Sequence, residues 1–319
     1  MKKQDTLYQL LFTALSLYLI FLMLRYPALS LEYASTGLTL WFTKMVPTLL
    51  PFMILSGIMI RMNLTERFVG LLHPLLHRIY GTSRNGSYTI IMGFLCGFPM
   101  GARIVGELYE QHKLSREESA LLLSFCNNIG PIYFLSYVIP TLGIDRPGRP
   151  FLLMYGIPLL YGFLLMRIRP MMTRTFSSCE NHPEVRSLRA EHPGSCSLLA
   201  AIDASVLSGL IGIARLGGYM VFFNLLNIVF QPFQHVNTNI LNIYRCLLEI
   251  TSGIDCSGRS INFAILILLP FGGFSCIAQT YSMIRQTDLS LRPYLYHKAV
   301  QTAITAACYL LLYLHGLTP

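Results

Sequence analysis

The feature that most constrains this chain is an apolar segment that cannot continue as a helix. After the mostly apolar residues 88–96 comes Gly97-Phe98-Pro99-Met100-Gly101-Ala102-Arg103, which sets two glycines and a proline within five positions and follows them at once with a charge. Proline removes an amide from the helical ladder and clashes with the preceding turn, so the helix ends here. A single span through this point would also carry Arg103, Glu107 and Glu110 into lipid, at a cost of several kcal/mol each. Two half-helices that turn back to the side they came from avoid that cost. The pattern predicts a re-entrant hairpin near 88–109.

The motif has an echo 176 residues later, Gly273-Phe274-Ser275-Cys276-Ile277-Ala278-Gln279, in which Gly, Phe and Ala match and neutral Gln279 stands in place of Arg103. At the same offset Leu71-Leu72 aligns with Leu247-Leu248. Two halves on one plan are expected, the second with its own hairpin near 262–284.

The composition sets these breaks in a membrane. Hydrophobic residues make up 53% of the 319 and charged residues only 12%, about half the charged share of a soluble domain. An all-α polytopic membrane protein is expected, with the lipid bilayer as its surroundings. The net charge of +9 gathers in particular loops, as membrane orientation requires, and no nucleic-acid signature accompanies it. The eight cysteines occur singly and read as small buried hydrophobes.

In chain order, the run from Leu7 to Leu24 predicts a retained first span within 1–30. Trp41 is a candidate interfacial anchor for a second apolar segment reaching Ile60 across Pro47 and Pro51. Residues 64–80 carry apolar positions at helical spacing beside Arg67, His73, His77 and Arg78, which predicts an interfacial amphipathic helix. The segment 120–139 is interrupted at Asn127-Asn128-Ile129-Gly130-Pro131, and a short span covers 151–166. A first repeat over 38–166 is followed by a basic linker at 167–197, read as cytoplasmic. A second repeat over 198–316 holds an apolar stretch broken near Gly217-Gly218, an amphipathic segment around 240–250, the second hairpin and a last span at 294–314. With the two hairpins entering from opposite sides, fourteen of the twenty-four basic residues fall on the inner face. The repeats would then be inverted, an arrangement found in many secondary transporters.

Broken helices survive at membrane depth where their free backbone groups line a cavity or bind a solute. The half-helix beginning at Pro99 would aim its positive end and the amides of Gly101 and Ala102 at the membrane centre, where Gly97 permits the turn. That end suits an anion, and Arg103 adds a fork of donors for a carboxylate; an Arg103–Glu107 pair at i,i+4 is the competing explanation. Asn127 and Asn128 offer amides to a polar solute or, equally, bonds between helices. Gly272, Gly273, Ser275 and Gln279 offer close backbone approach and neutral donors, or tight packing alone. Asp203 and Arg215 are candidates for gating contacts, and Glu249 is an alternative proton-coupling site. His73 and His77 have the spacing of a helical metal pair but lack the Glu of His-Glu-x-x-His and read as surface histidines. With no phosphate loop, nucleophile elbow or metal cluster, neither an enzyme nor a cofactor is expected.

Three motifs taken together resemble one family. Gly97-Phe98-Pro99-Met100-Gly101-Ala102-Arg103, Leu123-Ser124-Phe125-Cys126-Asn127-Asn128, and Phe271-Gly272-Gly273-Phe274-Ser275 with Ala278-Gln279 resemble the YlbJ-like sporulation integral membrane proteins, which carry a nucleoside-recognition or Gate domain. The resemblance covers about 41–314. It implies a fold akin to half of a concentrative nucleoside transporter, and a role in moving dipicolinic acid from the mother cell toward the forespore across the outer forespore membrane. Nucleoside transport or sensing, and a non-transporting scaffold for spore assembly, are the alternatives. Partners implied are a small solute, other sporulation membrane proteins and a second copy of the chain. The second hairpin departs from the first in lacking its proline.

Overall fold

The computed structural model describes residues 2–173, 197–233, 237–257 and 261–315, and among them every regular element is a helix. Helix α1 (Lys2–Arg25) is followed by α2 (Pro27–Leu40), which passes through a π-turn at Trp41–Met45 into α3 (Val46–Arg61). Pro47 and Pro51 each remove an amide from that ladder, and the wide turn falls just before them. The amphipathic stretch forms two short helices, α4 (Thr65–Phe68) and α5 (His73–Tyr80), with Leu71 between them almost fully exposed.

Next come α6 (Arg84–Cys96) and α7 (Met100–Glu110), packed on one another across the Gly97–Pro99 break. At 1.5 Å per residue each is less than ~20 Å long, too short for a hydrocarbon core of ~30 Å. The expected first hairpin is present. Helix α8 (Arg116–Cys126) then stops, and the chain resumes as α9 (Pro131–Tyr133), a π-turn at Phe134–Val138 and α10 (Ile139–Leu142). Helix α11 (Gly148–Thr173) completes this half.

The second half has a similar but shorter order of elements, without counterparts of α1, α4 and α5. Helix α12 (Leu198–Leu225) leads into the short helices α13 (Thr238–Leu248) and α14 (Ile250–Ser257), packed on one another across Glu249. Then α15 (Asn262–Leu268) and α16 (Gly273–Ile284) flank a break at 269–272, and α17 (Leu291–Leu314) closes the chain. Among the described residues, five stretches are long and apolar enough to cross a membrane: Pro27–Arg61, Arg116–Leu142, Gly148–Ile168, Leu198–Pro232 and Asn262–Ile284.

Two expectations change. The segment 262–284 does not supply the packed hairpin of its half: α15 lies on α13 and α17, and α16 on α7, α12 and α13. It is a broken helix, the counterpart in element order of Asn127–Gly130, while the counterpart of the Gly97 tip is Glu249. The stretch expected to break at Gly217-Gly218 is continuous within α12. Gly217 is there to admit Trp41, whose ring fills the place a side chain would take. Trp41 itself is half-buried, with Nε1 donating to the Ile213 carbonyl at 2.8 Å. Most of the basic linker, residues 174–196, lies outside the described residues.

Side-chain bonds tie helix ends into two groups. At one end of the bundle, Thr82 Oγ1 and Ser83 N donate to Glu118 Oε1 at 2.6 and 2.8 Å. Lys113 Nζ donates to Ile60 O at 2.9 Å, and Asp288 accepts from Tyr109 Oη at 2.6 Å and pairs with Arg116 at 3.1 Å. At the far end of the α8–α10 helix, Tyr137 Oη donates to Asp255 at 2.7 Å. The open ends of the two hairpins thus lie in different groups.

Candidate functional site

Each hairpin tip is laid against the broken helix of its own half, and glycine makes the approach possible. A side chain at Gly93 or Gly101 would strike the Cys126 carbonyl, and one at Gly97, where φ is 82°, would strike Gly130. In the other half Gly273, with φ 81°, faces the carbonyls of Cys246 and Leu247. The halves meet where Gly272 lies against the Phe98 ring.

Between the tips is a cavity of about 60 Å³ lined by Phe98, Gly130, Tyr133, Glu249, Thr251 and Gln279, with Thr48 and Met220 from the long helices. That volume holds a few water molecules. Gln279 Nε2 donates to Ser275 Oγ at 3.0 Å. The Glu249 carboxylate accepts from the backbone amides of Thr251 and Ser252 at 3.2 and 2.7 Å, capping α14. Its placement here follows from the hairpin: Glu249 is the tip.

The two asparagines serve the break itself. Asn127 Nδ2 reaches Thr280 Oγ1 at 2.9 Å and Tyr294 Oη at 3.1 Å, and its Oδ1 accepts from Ala102 N at 3.4 Å. Asn128 Nδ2 donates to Phe125 O at 2.6 Å, and its Oδ1 accepts from Lys298 Nζ at 2.7 Å. Both are fully buried and neither lines the central cavity. Of the two chemistries open to them in the sequence, they perform the interhelical bonding. Three amides at the start of α7 are likewise engaged: Met100 N with Gly97 O, Ala102 N with Asn127 and Arg103 N with Pro99 O.

Arg103 turns away from the tip. Its Nε pairs with Glu107 at 2.8 Å and Nη2 donates to Ser208 Oγ at 2.9 Å, while the buried Nη1 has no partner among the described residues. The side chain lines a second cavity, about 530 Å³, with Arg61, Arg215, Glu107 and Glu110. Arg103 and Gln279 therefore face different spaces. At the end of α7, burial and then the neighbouring Glu107 raise the Glu110 carboxyl above the usual range. The Arg61 and Arg215 guanidinium groups bring this chamber to three cations against two carboxylates.

Other candidates fall elsewhere. His73 Nδ1 bonds Ser87 Oγ at 2.9 Å and His77 Nδ1 bonds Thr82 O at 2.8 Å, both beside α6. Asp203 is exposed and lines neither chamber. The residue that sequence reading missed is Lys298, fully buried in α17. The signal available was a lysine followed by a run of largely apolar residues, which marks function in a membrane helix.

Residues 42–144 match the family model described as nucleoside recognition, Gate. The chain is 26% identical to the sporulation integral membrane protein YlbJ of Bacillus subtilis (strain 168), in an alignment covering 95% of this chain and 82% of the relative. No solved structure matches. The chain is thus an integral membrane protein with a Gate segment, and the resemblance to YlbJ that its three motifs carry extends along nearly its whole length.

Proposed function

We propose that this chain is a transporter-like protein of sporulating cells that moves a small organic anion, with dipicolinic acid as the first solute to test, from the mother cell toward the forespore. The observation that carries the reading is Arg103: 4% exposed, with an Nη1 that has no partner among the described residues, in a chamber of about 530 Å³ that it shares with Arg61 and Arg215. A buried guanidinium nitrogen without an acceptor is a standing demand for one, and a dicarboxylate satisfies it with charge-assisted bonds.

The chamber adjoins the bundle end where α3, α7 and α8 meet, the end that the basic residues assign to the cytoplasm. Solute is admitted there and passed to the small central cavity when the hairpin tips shift. In this reading the two halves are inverted repeats, akin to half of a concentrative nucleoside transporter, and alternating access is rocking of one half against the other. The protein sits in the outer forespore membrane and carries out no chemical conversion.

A nucleoside is the second reading, and one observation favours it. The central cavity presents a carboxylate at Glu249 and amide and hydroxyl groups at Gln279, Thr48 and Thr251, with no cation among its lining residues. Such a set suits a hydroxyl-bearing neutral solute better than a dianion. Purified protein in liposomes, offered labelled dipicolinate and labelled nucleosides side by side, decides between them. Arg103→Gln is expected to lower dipicolinate flux about tenfold or more, the worth of one charge-assisted bond, with normal insertion. Unchanged dipicolinate flux would overturn the anion reading, and movement of neither solute would leave the scaffold alternative standing.

A further inference from the structure

Lys298 is the most costly side chain in this molecule to leave unexplained. It is 0% exposed in a membrane protein, and none of the three ion pairs among the described residues includes it. Its Nζ donates to Asn128 Oδ1 at 2.7 Å and lies 5.3 Å from the centre of the Phe98 ring and 5.9 Å from that of Tyr294. A buried ammonium without a carboxylate is expensive, so its neighbours must favour a cation at this point.

They do, because Lys298 stands at the C-terminal end of a half-helix. Helix α8 stops at Cys126, and its last carbonyls carry the negative end of the helix dipole. In transporters with broken helices, unwound carbonyls and half-helix C-termini are where a coupling cation binds. Here the protein's own donors already hold the acceptors such an ion would use. Ser124 O accepts from Gln301 Nε2 at 2.8 Å, Phe125 O from Asn128 Nδ2 at 2.6 Å and Ile129 O from Tyr155 Oη at 3.0 Å. The Cys126 carbonyl is covered by Gly93 and Gly101.

We propose that Lys298 is the resident cation of the α8 break, holding the place of a bound metal ion, so that solute movement is coupled to protons and independent of sodium. This rests on the transporter reading above. Phe98 links the two parts, since its ring lies over Nζ and also lines the central cavity. When the first hairpin tip moves, Phe98 moves with it and Lys298 meets the cavity, where an N–H bond of the ammonium breaks, the proton passes to water and a neutral amine remains. The return stroke requires reprotonation.

The titratable groups around Nζ are few. Helix α8 contributes the Cys126 thiol, α16 the Cys276 thiol with Glu249 beyond it, and α17 itself Tyr294. From α11 come Tyr155, bonded to Ile129 O, and Tyr161, bonded to His297. The hairpin presents the uncharged Phe98. Lys298 is thus the group at the break whose charge can change with the stroke.

The test is flux of dipicolinate and of a labelled nucleoside into liposomes holding the purified protein. Replacing sodium by choline on both sides at fixed pH is expected to leave flux unchanged. A gradient of one pH unit is expected to change steady accumulation by up to about tenfold, the equivalent of one proton per solute. Lys298→Gln and Lys298→Arg are each expected to abolish that pH response, read as the ratio of pH-driven to downhill flux. A sodium requirement, or a full pH response in Lys298→Gln, would overturn the proposal. If neither solute moves, the transporter reading fails by itself, and thermal melts in detergent decide the role of Lys298. The wild type is then expected to melt at one temperature in sodium and choline, and its melting temperature to vary with pH in a way that Lys298→Gln does not. A sodium-specific rise, or identical pH profiles, sinks the resident-cation assignment.

Discussion

Adjacent glycines in α12 show how little of a residue's role lies in its type. Gly217 and Gly218 both lie in a helix that runs without interruption, yet a methyl group on Gly217 would enter the Trp41 ring, whereas one on Gly218 meets no described atom within 4 Å. Gly217→Ala is expected to destabilise by about 1–3 kcal/mol through overpacking. Gly218→Ala is expected to be neutral or to stabilise by up to about 1 kcal/mol, since alanine is the better helix former. Thermal melts of the two variants in detergent check the opposite signs; a shared sign would mean that Trp41 does not occupy the Gly217 groove. This is also why the pair was misread in the sequence. Two glycines in an apolar run look the same whether they break a helix or admit a ring, and the ring comes from residue 41. The Gly97-Phe98-Pro99 break was legible because proline's missing amide acts locally, whatever packs around it. Lys298 was overlooked for the opposite reason: its meaning comes from Asn128, 170 residues away.

Among the elements, the second hairpin teaches the same lesson on a larger scale. The first hairpin turns on glycine and proline, so a matching Gly-Phe motif drew the second to 262–284. The chain instead turns at Glu249, with no glycine or proline at the tip, because a carboxylate can stop one helix and cap the next. Glu249 Oε1 and Oε2 accept from Thr251 N and Ser252 N, the first free amides of α14, which is the work of an N-cap. Glu249→Ala is expected to cost about 1–2 kcal/mol and to loosen the α13–α14 pair. Glu249→Gln, which keeps one acceptor, is expected to cost less. Hydrogen exchange at Thr251 and Ser252 measures it: faster exchange in Glu249→Ala than in Glu249→Gln is the expected order, and equal protection in both would show that the tip is held by packing alone. The all-helical membrane class, the turn between helices at Gly97–Pro99 and the break at Asn127–Gly130 were readable, since each is written in composition or local backbone chemistry. The chambers were not, because which of them a side chain enters depends on how the two halves meet.

At the scale of the whole molecule the question is whether the two hairpins enter from opposite faces. The side-chain bonds bear on it. Residues at the open end of the first hairpin, Ser83 and Tyr109, bond to Glu118 at the start of α8 and to Asp288 before α17. Asp255, near the open end of the second, bonds instead to Tyr137, beyond the α8 break. Arg116–Leu142 is long and apolar enough to cross a bilayer; if it does so, its two ends lie at opposite surfaces and each hairpin opens beside a different one. Treating 262–284 as a crossing also moves Arg285 and Arg292 to the inner face, which then holds sixteen basic residues rather than fourteen. The stronger asymmetry is what the positive-inside rule favours. Cys256, exposed in α14, and a cysteine introduced at Gln111, just past α7, are the natural probes. Each is placed alone in a chain whose other cysteines are replaced. In intact non-sporulating cells that produce the chain in their surface membrane, a membrane-impermeant thiol reagent is expected to label Cys256 and to reach Gln111→Cys only after the membrane is opened. Labelling of both from the same side would refute inverted repeats, and with them the route from an arginine-lined chamber on one face to the Glu249 tip on the other.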